Sequence, residues 1–370
     1  MCDKLLVFHP ALAPYRIDFF NALAERYDLH LVLLGKNLQE QKFDQQALVR
    51  KLKCRLSYLL GGFVFRSRYI RTGVIRLLRH EKPRVVLSYE YSLTTMVLAL
   101  YRRFSRARFA LYTTTDDNAE LFAKCSGLRR RIRDFLLPQL DGCLVIDAEV
   151  GPLMTRIVTP KQLDVVTVPI IYDEDLFRRD ERRIFERADQ WRQRNLRLGE
   201  KAVFFVGRLE PVKNLPWLIE CASQRSWPAN VRLFVVGEGS LRDELEQMVE
   251  ERNLGRRVSF LGRFEGAELQ PYFAAADALI LCSVSEPFGA VVSEGLHWGA
   301  LAFVSSHVGA KTLIREGGNG TVFELENPDH FLSKLTDGLS RQKPWVKGRP
   351  SLVPLRLRDA VARFAPRGVI

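Results

Sequence analysis

Short apolar runs of four to six residues recur along the chain, each ending in a polar or Gly/Pro-rich loop that leads into apolar residues at helical spacing. In the first half these runs fall at 5–8, 29–34, 85–89, 109–113 and 141–146, with 165–169 closing the series and a helical stretch at 17–27 between the first two. A connection at 170–177 and a charged helix at 180–200 follow, and then the pattern restarts. Strands at 202–206, 232–236, 258–261, 278–281 and 301–305 alternate with helices at 215–222, 241–252, 268–275 and 290–297, and a glycine-rich turn lies at 317–320. Continuous short runs predict strands buried on both faces, and their alternation with helices predicts parallel sheets. The fold class is therefore α/β, with two doubly wound domains, at 1–170 and 201–340, joined by a linker and hinge region at 171–200. Two such domains in tandem leave a cleft between them, and 341–370 remains as a tail. The length agrees, since 370 residues exceed what one core usually serves.

Composition adds that the chain is globular, at 47% hydrophobic and 27% charged residues. The most apolar long window, 85–100, contains Glu90 and stops at Arg102 and Arg103, so no spanning helix is expected. The opening Met1-Cys2-Asp3-Lys4 passes straight into the first strand, which reads as no signal peptide. Six cysteines without a C-x-x-C pair argue against a disulfide framework or zinc site and fit a reducing, cytoplasmic setting.

Charge changes the picture more. Of the net +13, residues 1–170 carry about +11, from 27 Lys and Arg against 16 Asp and Glu. Residues 50–84 are the most basic, with Leu59, Leu60, Phe63, Val64, Phe65, Tyr69 and Ile70 interleaved. Such a mixture suits an anionic bilayer, apolar side chains dipping in while cations meet headgroups; a solvated helix face is the plainer alternative. Nucleic acid is disfavoured because no helix-turn-helix, zinc-finger, RRM or KH signature accompanies the charge.

The candidate chemistry gathers at the carboxyl ends of the expected strands, where open α/β sheets bind ligands. Between the strand at 278–281 and the helix at 290–297, Glu286 and Glu294 bracket the free N–H groups of Phe288, Gly289, Ala290 and Val291. A diphosphate suits those amides, with hydroxyls on Glu286 to one side and on Glu294 to the other: sugar, diphosphate, ribose. In the loop after 202–206, Arg208 can fork onto phosphate oxygens and Lys213 can supply a point charge, together doing the work of a metal ion on a departing diphosphate. No His cluster has metal spacing, so neither a metal nor another cofactor is expected. In the first domain, His9 and Arg16 follow the first strand, Glu90 the third, and Asp116 and Asp117 the fourth, which together read as an acceptor pocket. The plainer alternatives are that His9 merely caps a strand, that Arg16 is solvated, and that Asp116 and Asp117 cap the helix that follows.

Residues from about 203 to 325 resemble the donor domain of the retaining glycosyltransferases of family 4, through Gly207-Arg208-Leu209 with Lys213-Asn214, Val236-Gly237-Glu238-Gly239, Phe260-Leu261-Gly262, and Glu286-Pro287-Phe288-Gly289 with Glu294. Gly299, Ser305 and Asn319-Gly320 also fit. The resemblance implies the GT-B fold of two facing Rossmann-like domains, a diphosphate on Arg208 and Lys213, the transferred sugar on Glu286 and the ribose on Glu294. It also implies that a last helix, within 352–364, crosses back to the first domain. The first domain departs from the pattern, with no glycine between His9 and Arg16 and with Thr115-Asp116-Asp117 where many members place a His. Asp116 or Asp117 is then the residue expected near the reacting centre.

The expectation is thus retaining transfer of a hexose-type sugar from a UDP- or GDP-sugar to a glycan or lipid-linked acceptor, at the inner face of the cell membrane, as in polysaccharide or lipopolysaccharide assembly. A sugar-nucleotide epimerase is the alternative, but the C-terminal half offers it only His297 and His307 as acid–base histidines, and both read rather as structural. A basic nucleic-acid or membrane-binding protein without activity stands behind it. A dehydrogenase is weaker, because Gly237-Glu238-Gly239 lacks the third glycine of a dinucleotide fingerprint.

Overall fold

The computed structural model describes residues 3–37, 43–65, 68–105 and 107–366. The chain divides into two compact units, Met1–Ile170 with Leu357–Ile370, and Ile171–Arg356.

The first unit runs β1 (Lys4–His9), α1 (Pro14–Ala24), β2 (Asp28–Leu33), α2 (Gln45–Val49), β3 (Arg55–Tyr58), β4 (Gly62–Phe65), β5 (Arg68–Arg71), α3 (Val74–Glu81), β6 (Val85–Tyr89), α4 (Leu93–Phe104), β7 (Ala110–Thr115), α5 (Ala119–Lys124), α6 (Gly127–Leu136), β8 (Gly142–Val145), α7 (Val150–Val158) and β9 (Asp164–Thr167). Seven strands form one parallel sheet in the order β3-β2-β1-β6-β7-β8-β9. Its central strands are the continuous apolar runs of the sequence, buried because helices cover the sheet. Leu6, Phe8, Val86 and Leu111 pack with Val74, Leu98, Leu136 and Met154 from the helices. The basic stretch 50–84 is not one surface helix. It divides into β3, an antiparallel ribbon β4–β5 outside the sheet, and α3; Arg66 and Ser67 lie outside the described residues. The cap of α5 is Asn118, which accepts from the Leu121 N–H at 2.9 Å, so Asp116 and Asp117 are not caps.

The second unit runs α8 (Glu174–Phe177), α9 (Glu181–Asn195), β10 (Lys201–Val206), α10 (Leu215–Ser223), β11 (Val231–Val236), α11 (Arg242–Glu251), β12 (Val258–Gly262), α12 (Gln270–Ala275), β13 (Ala278–Leu281), α13 (Ala290–His297), β14 (Leu301–Ser305), β15 (Gly320–Phe323) and α14 (Pro328–Arg341). Its six parallel strands stand in the order β12-β11-β10-β13-β14-β15, the doubly wound arrangement of a Rossmann domain. Strand β15 escaped the pattern because its glycine-rich approach, Gly317-Gly318-Asn319-Gly320, reads only as a turn. Residues 171–200, expected as linker and hinge, are packed into this unit. Trp191 of α9 lies against Phe204 and Phe234, and Arg192 donates to Asp277 and to the Ala275 carbonyl, each at 2.7 Å. The helix is charged because only one stripe of it, Ile184, Phe185 and Ala188, is buried.

The expected tail is likewise shared out. Gln342, Trp345 and Arg349 donate to main-chain carbonyls of the second unit at Asp277, Ala274 and Trp298. Then α15 (Leu357–Ala362) packs on α1, and the fully buried Phe364 lies between Tyr27 and Tyr112, at ring centroids of 5.8 and 5.1 Å. Phe364→Ala empties that place, so it is expected to lower stability by about 3–5 kcal/mol. Urea unfolding of the variant and the parent chain gives the difference.

Candidate functional site

In each sheet the strand order reverses once, between β10 and β13 in the second unit and between β1 and β6 in the first. Helices on either side of a reversal diverge to opposite faces, which leaves the loops at the carboxyl ends of those two strands facing a crevice. Glu90, Arg208, Lys213 and Glu286 lie on these loops; His9 ends β1, Arg16 lies in the first turn of α1, Asp116 and Asp117 follow the neighbouring β7, Gly237 follows β11, and Glu294 lies within α13.

In the second unit, main-chain bonds knit the loops together. The N–H of Gly207 donates to Val236 O, that of Leu209 to Glu238 O, that of Gly237 to Gly262 O, and that of Val284 to Val212 O. The approach is so close that a Cβ on Gly237 would stand 1.8 Å from Gly207 O, at a φ of +148° that side chains rarely adopt. The reversal sets Lys213, after β10, beside Glu286, after β13, and the two form a largely buried ion pair. Glu286 is fixed by its own main chain, its N–H donating to His307 O at 3.2 Å and its C=O accepting from Gly309 N–H at 3.0 Å. Three residues on, Gly289 starts α13 with a φ of +90°, and no side chain caps the helix. The first N–H groups of α13, those of Ala290 and Val291, therefore stand at a bare helix start, an arrangement that favours an anion. Arg208 is exposed at the end of β10 and makes no ion pair among the described residues. Glu294, one turn into α13, has its carboxyl raised by burial, opposed by the Tyr172 hydroxyl, which donates to Oε1 at 2.7 Å.

The crevice of the first unit is lined instead with carboxylates and arginines. Arg16 is buried and pairs with Asp116. His9 is buried edge-on to Phe20 and Tyr89, its Nδ1–H donating to Ala11 O at 2.8 Å; burial and then Arg16 push it down to about 4, so it is neutral at pH 7. Arg16 is therefore not the solvated side chain that the sequence allowed. Glu90 has a φ of +53° and accepts from the Asp116 N–H at 2.9 Å and from the Thr115 hydroxyl at 3.3 Å. Burial, then Asp117 and Asp116, push its carboxyl up to about 7. Arg129, from α6, donates to both Asp117 oxygens at 2.9 Å and reaches Glu90 at 3.4 Å.

Comparison with known proteins finds a family likeness in the C-terminal part. Residues 186–346, less than half of the chain, match the family described as Glycosyl transferases group 1. An uncharacterized glycosyltransferase of Methanocaldococcus jannaschii is 35% identical over 130 residues, covering 35% of this chain and 33% of that protein. A Campylobacter jejuni alpha-1,4-N-acetyl-D-galactosaminyltransferase, whose name carries a PP-undecaprenol-linked glycan, is 32% identical over 139 residues, 37% of this chain and 38% of that protein. The chain thus spans less than half the length of these relatives. Among solved structures, the lipopolysaccharide outer core galactosyltransferase WaaB in its apo form matches with a TM-score of 0.67 at 16% identity, over 98% of this chain and 95% of that one. At that identity the likeness gives the fold, which is GT-B with two Rossmann-like domains.

The matched segment holds Arg208, Lys213, Gly237, Glu286, Phe288, Gly289, Ala290 and Glu294, and the structure draws Lys213 to Glu286. Tyr172 and Arg129, the partners of Glu294 and of Asp117 with Glu90, were not singled out in the sequence. One of four arginines in α6, Arg129 carries no local mark, and Tyr172 stands in what reads as a connection. The acid–base candidates of an epimerase fare poorly at His297. It is buried 5.1 Å from the ring of Phe177, and burial, then Arg178, push it down to about 3.

Glu90 gives a pH test. Its folded-state carboxyl titrates near 7 against about 4.5 when unfolded, so the native state holds the extra proton between these values and loses stability as pH rises through them. Glu90→Gln does not titrate. Its melting temperature relative to the parent is expected to rise between pH 5 and pH 8, by roughly 2–4 °C for each kcal/mol relieved. Melting curves of both proteins at the two pH values give the comparison.

Proposed function

We propose that the chain is a retaining glycosyltransferase that moves a hexose-type sugar from a UDP- or GDP-sugar to a hydroxyl of a glycan or lipid-linked acceptor, without a metal ion. The observation that carries this reading is the Lys213–Glu286 pair at the strand reversal, beside the uncapped start of α13. A diphosphate lies on the amides of Phe288, Gly289 and Ala290, beside the close-packed Gly237 loop, and draws Lys213 away from Glu286. Freed of that cation, Glu286 accepts from the hydroxyls of the sugar. Glu294 takes the ribose with the carboxylate that Tyr172 orients. The bond from the anomeric carbon to the diphosphate oxygen breaks, and Arg208 and Lys213 stabilise the charge that grows on that oxygen. The acceptor oxygen bonds to the anomeric carbon on the face the diphosphate leaves, and its proton passes to the departing phosphate. No protein nucleophile is required.

The acceptor is assigned to the first unit, where His9 offers Nε2, Arg16 and Asp116 form a buried pair, and Glu90 and Asp117 share Arg129. Such mixed donors and acceptors suit hydroxyl groups better than a second diphosphate. Supporting a lipid-linked acceptor are the positive excess of residues 1–170 and the undecaprenol-linked substrate in the name of the Campylobacter relative. An anionic membrane surface, at the cytoplasmic face, is the partner this implies. No described helix is long and apolar enough to cross a membrane.

A thermal-shift screen of nucleotides and nucleotide-sugars tests the donor. One nucleoside diphosphate is expected to raise the melting temperature, equivalent to about 2.7 kcal/mol at a hundredfold excess over its Kd. Stabilisation by none of them removes the reading. With the donor known, Glu286→Gln is expected to lower turnover about a hundredfold while nucleoside diphosphate affinity stays within about threefold, because its contact is with the sugar. Undiminished turnover rules out that role, and a product of inverted anomeric configuration by NMR rules out retention.

A further inference from the structure

The ribbon β4–β5 of the first unit has a surface that the sugar-transfer chemistry does not use. Neighbouring residues of a strand point to opposite faces, so a ribbon lying on a protein body hides every second side chain. Strand β4 hides none. Phe63, Val64 and Phe65 are 60%, 47% and 56% exposed. Its partner β5 is the anchored strand. The Tyr69 hydroxyl donates to Asn37 O, and Arg71 donates through Nε to Leu34 O at 2.7 Å and stacks on the Tyr69 ring. Leu34 and Asn37 follow β2, so the ribbon is moored at the carboxyl edge of the sheet.

A second projection is moored to that edge. At the start of α6, Leu128 is 62% exposed and is followed by the exposed Arg129, Arg130 and Arg131. Arg129 turns back to Asp117 and Glu90, beyond β7 and β6, and so fixes the helix start beside the carboxylates of the crevice. Arg130 has Asp134 at 3.6 Å, a surface pair of little strength. Strands β2 and β7 are three places apart in the sheet, about 15 Å, so the two projections are moored on either side of the β1–β6 reversal.

We propose that Phe63, Val64 and Phe65 of β4, with Leu128, Arg130 and Arg131 of α6, form a two-pronged contact with an anionic lipid bilayer. The apolar tips enter the acyl boundary while the arginines meet headgroup phosphates. Charge selects this occupant. A second copy of the chain would bring arginines against arginines. Single-stranded nucleic acid would use aromatic faces and has no use for the aliphatic Val64 and Leu128. The proposal rests on the sugar-transfer reading only for what the bilayer delivers, namely an acceptor whose lipid stays in the membrane while its hydroxyl reaches the crevice.

The test is flotation of the whole chain with vesicles of phosphatidylcholine, alone or mixed with phosphatidylglycerol. The parent is expected to float only with the mixed vesicles. The pairs Phe63→Ser with Phe65→Ser, and Arg130→Gln with Arg131→Gln, are each expected to weaken binding about tenfold or more. All four side chains are exposed, so melting temperature and stabilisation by nucleoside diphosphate should not change. The proposal is overturned if the Phe63/Phe65 variant floats as the parent does, if those phenylalanines prove necessary for concentration-dependent dimers in sedimentation, or if single-stranded RNA binds through them. Transfer to a water-soluble acceptor by a chain that ignores both vesicles also overturns it, without touching the transferase reading. Flotation without any nucleotide binding supports it and counts against that reading alone.

Discussion

The ion pair between Lys213 and Glu286 exists because a parallel sheet reverses its strand order at one place. Each residue sits in a loop that the backbone cannot move far, since Val284 N–H is bound to Val212 O and the Cys282 thiol reaches Lys213 O. A largely buried pair of this kind adds little to stability, because the cost of stripping water from two ions roughly offsets their attraction. Its consequence is chemical. An ammonium and a carboxylate are held together beside a helix start with free N–H groups, where an anion would compete with Glu286 for Lys213.

The first unit uses the same topology with different means. The neighbouring ends of β6 and β7 bring together three carboxylates, Glu90, Asp116 and Asp117, and like charges at such range cannot all ionise freely. The fold sets Arg16 on Asp116 and Arg129 on Asp117, yet burial still raises the carboxyls of both Asp117 and Glu90. Glu90 also carries a left-handed backbone, a cost of about 1–3 kcal/mol that persists only where the surroundings fix it. They do so here through the Glu90 carbonyl, which accepts from the hydroxyls of Thr95 and Thr113, at 2.8 and 2.9 Å.

The second unit was more legible than the first, for physical reasons. The run at 278–281 is buried on every side and ends in a turn that only glycine can close, so strand, turn and helix could be placed to the residue. At 50–84 the signal was composition alone. A basic, aromatic-rich stretch is compatible with helix, ribbon or loop, and only tertiary anchors at Tyr69 and Arg71 decide for the ribbon. The roles of Asp116 and Asp117 were undecidable for a related reason. Capping and ligand binding both ask for short acidic side chains after a strand, and what separates them is that Asn118 lies one residue nearer the helix.

Residues 171–177 show why a connection can carry chemistry. Burial raises the carboxyl of Glu294, and a hydrogen-bond donor opposes that shift. The helix that bears Glu294 does not supply one. Tyr172 does, and it is held for the purpose by Phe177, whose ring lies 4.6 Å from its own and in turn covers His297. Asp173, between them, caps α8 and so sets the direction in which the chain leaves. A segment that looks like a spacer therefore has its aromatic and acidic positions fixed by one carboxylate across the fold. Lengthening it by a residue would withdraw the hydroxyl from Glu294, and no compensating donor follows Tyr172, since the next two side chains are acidic.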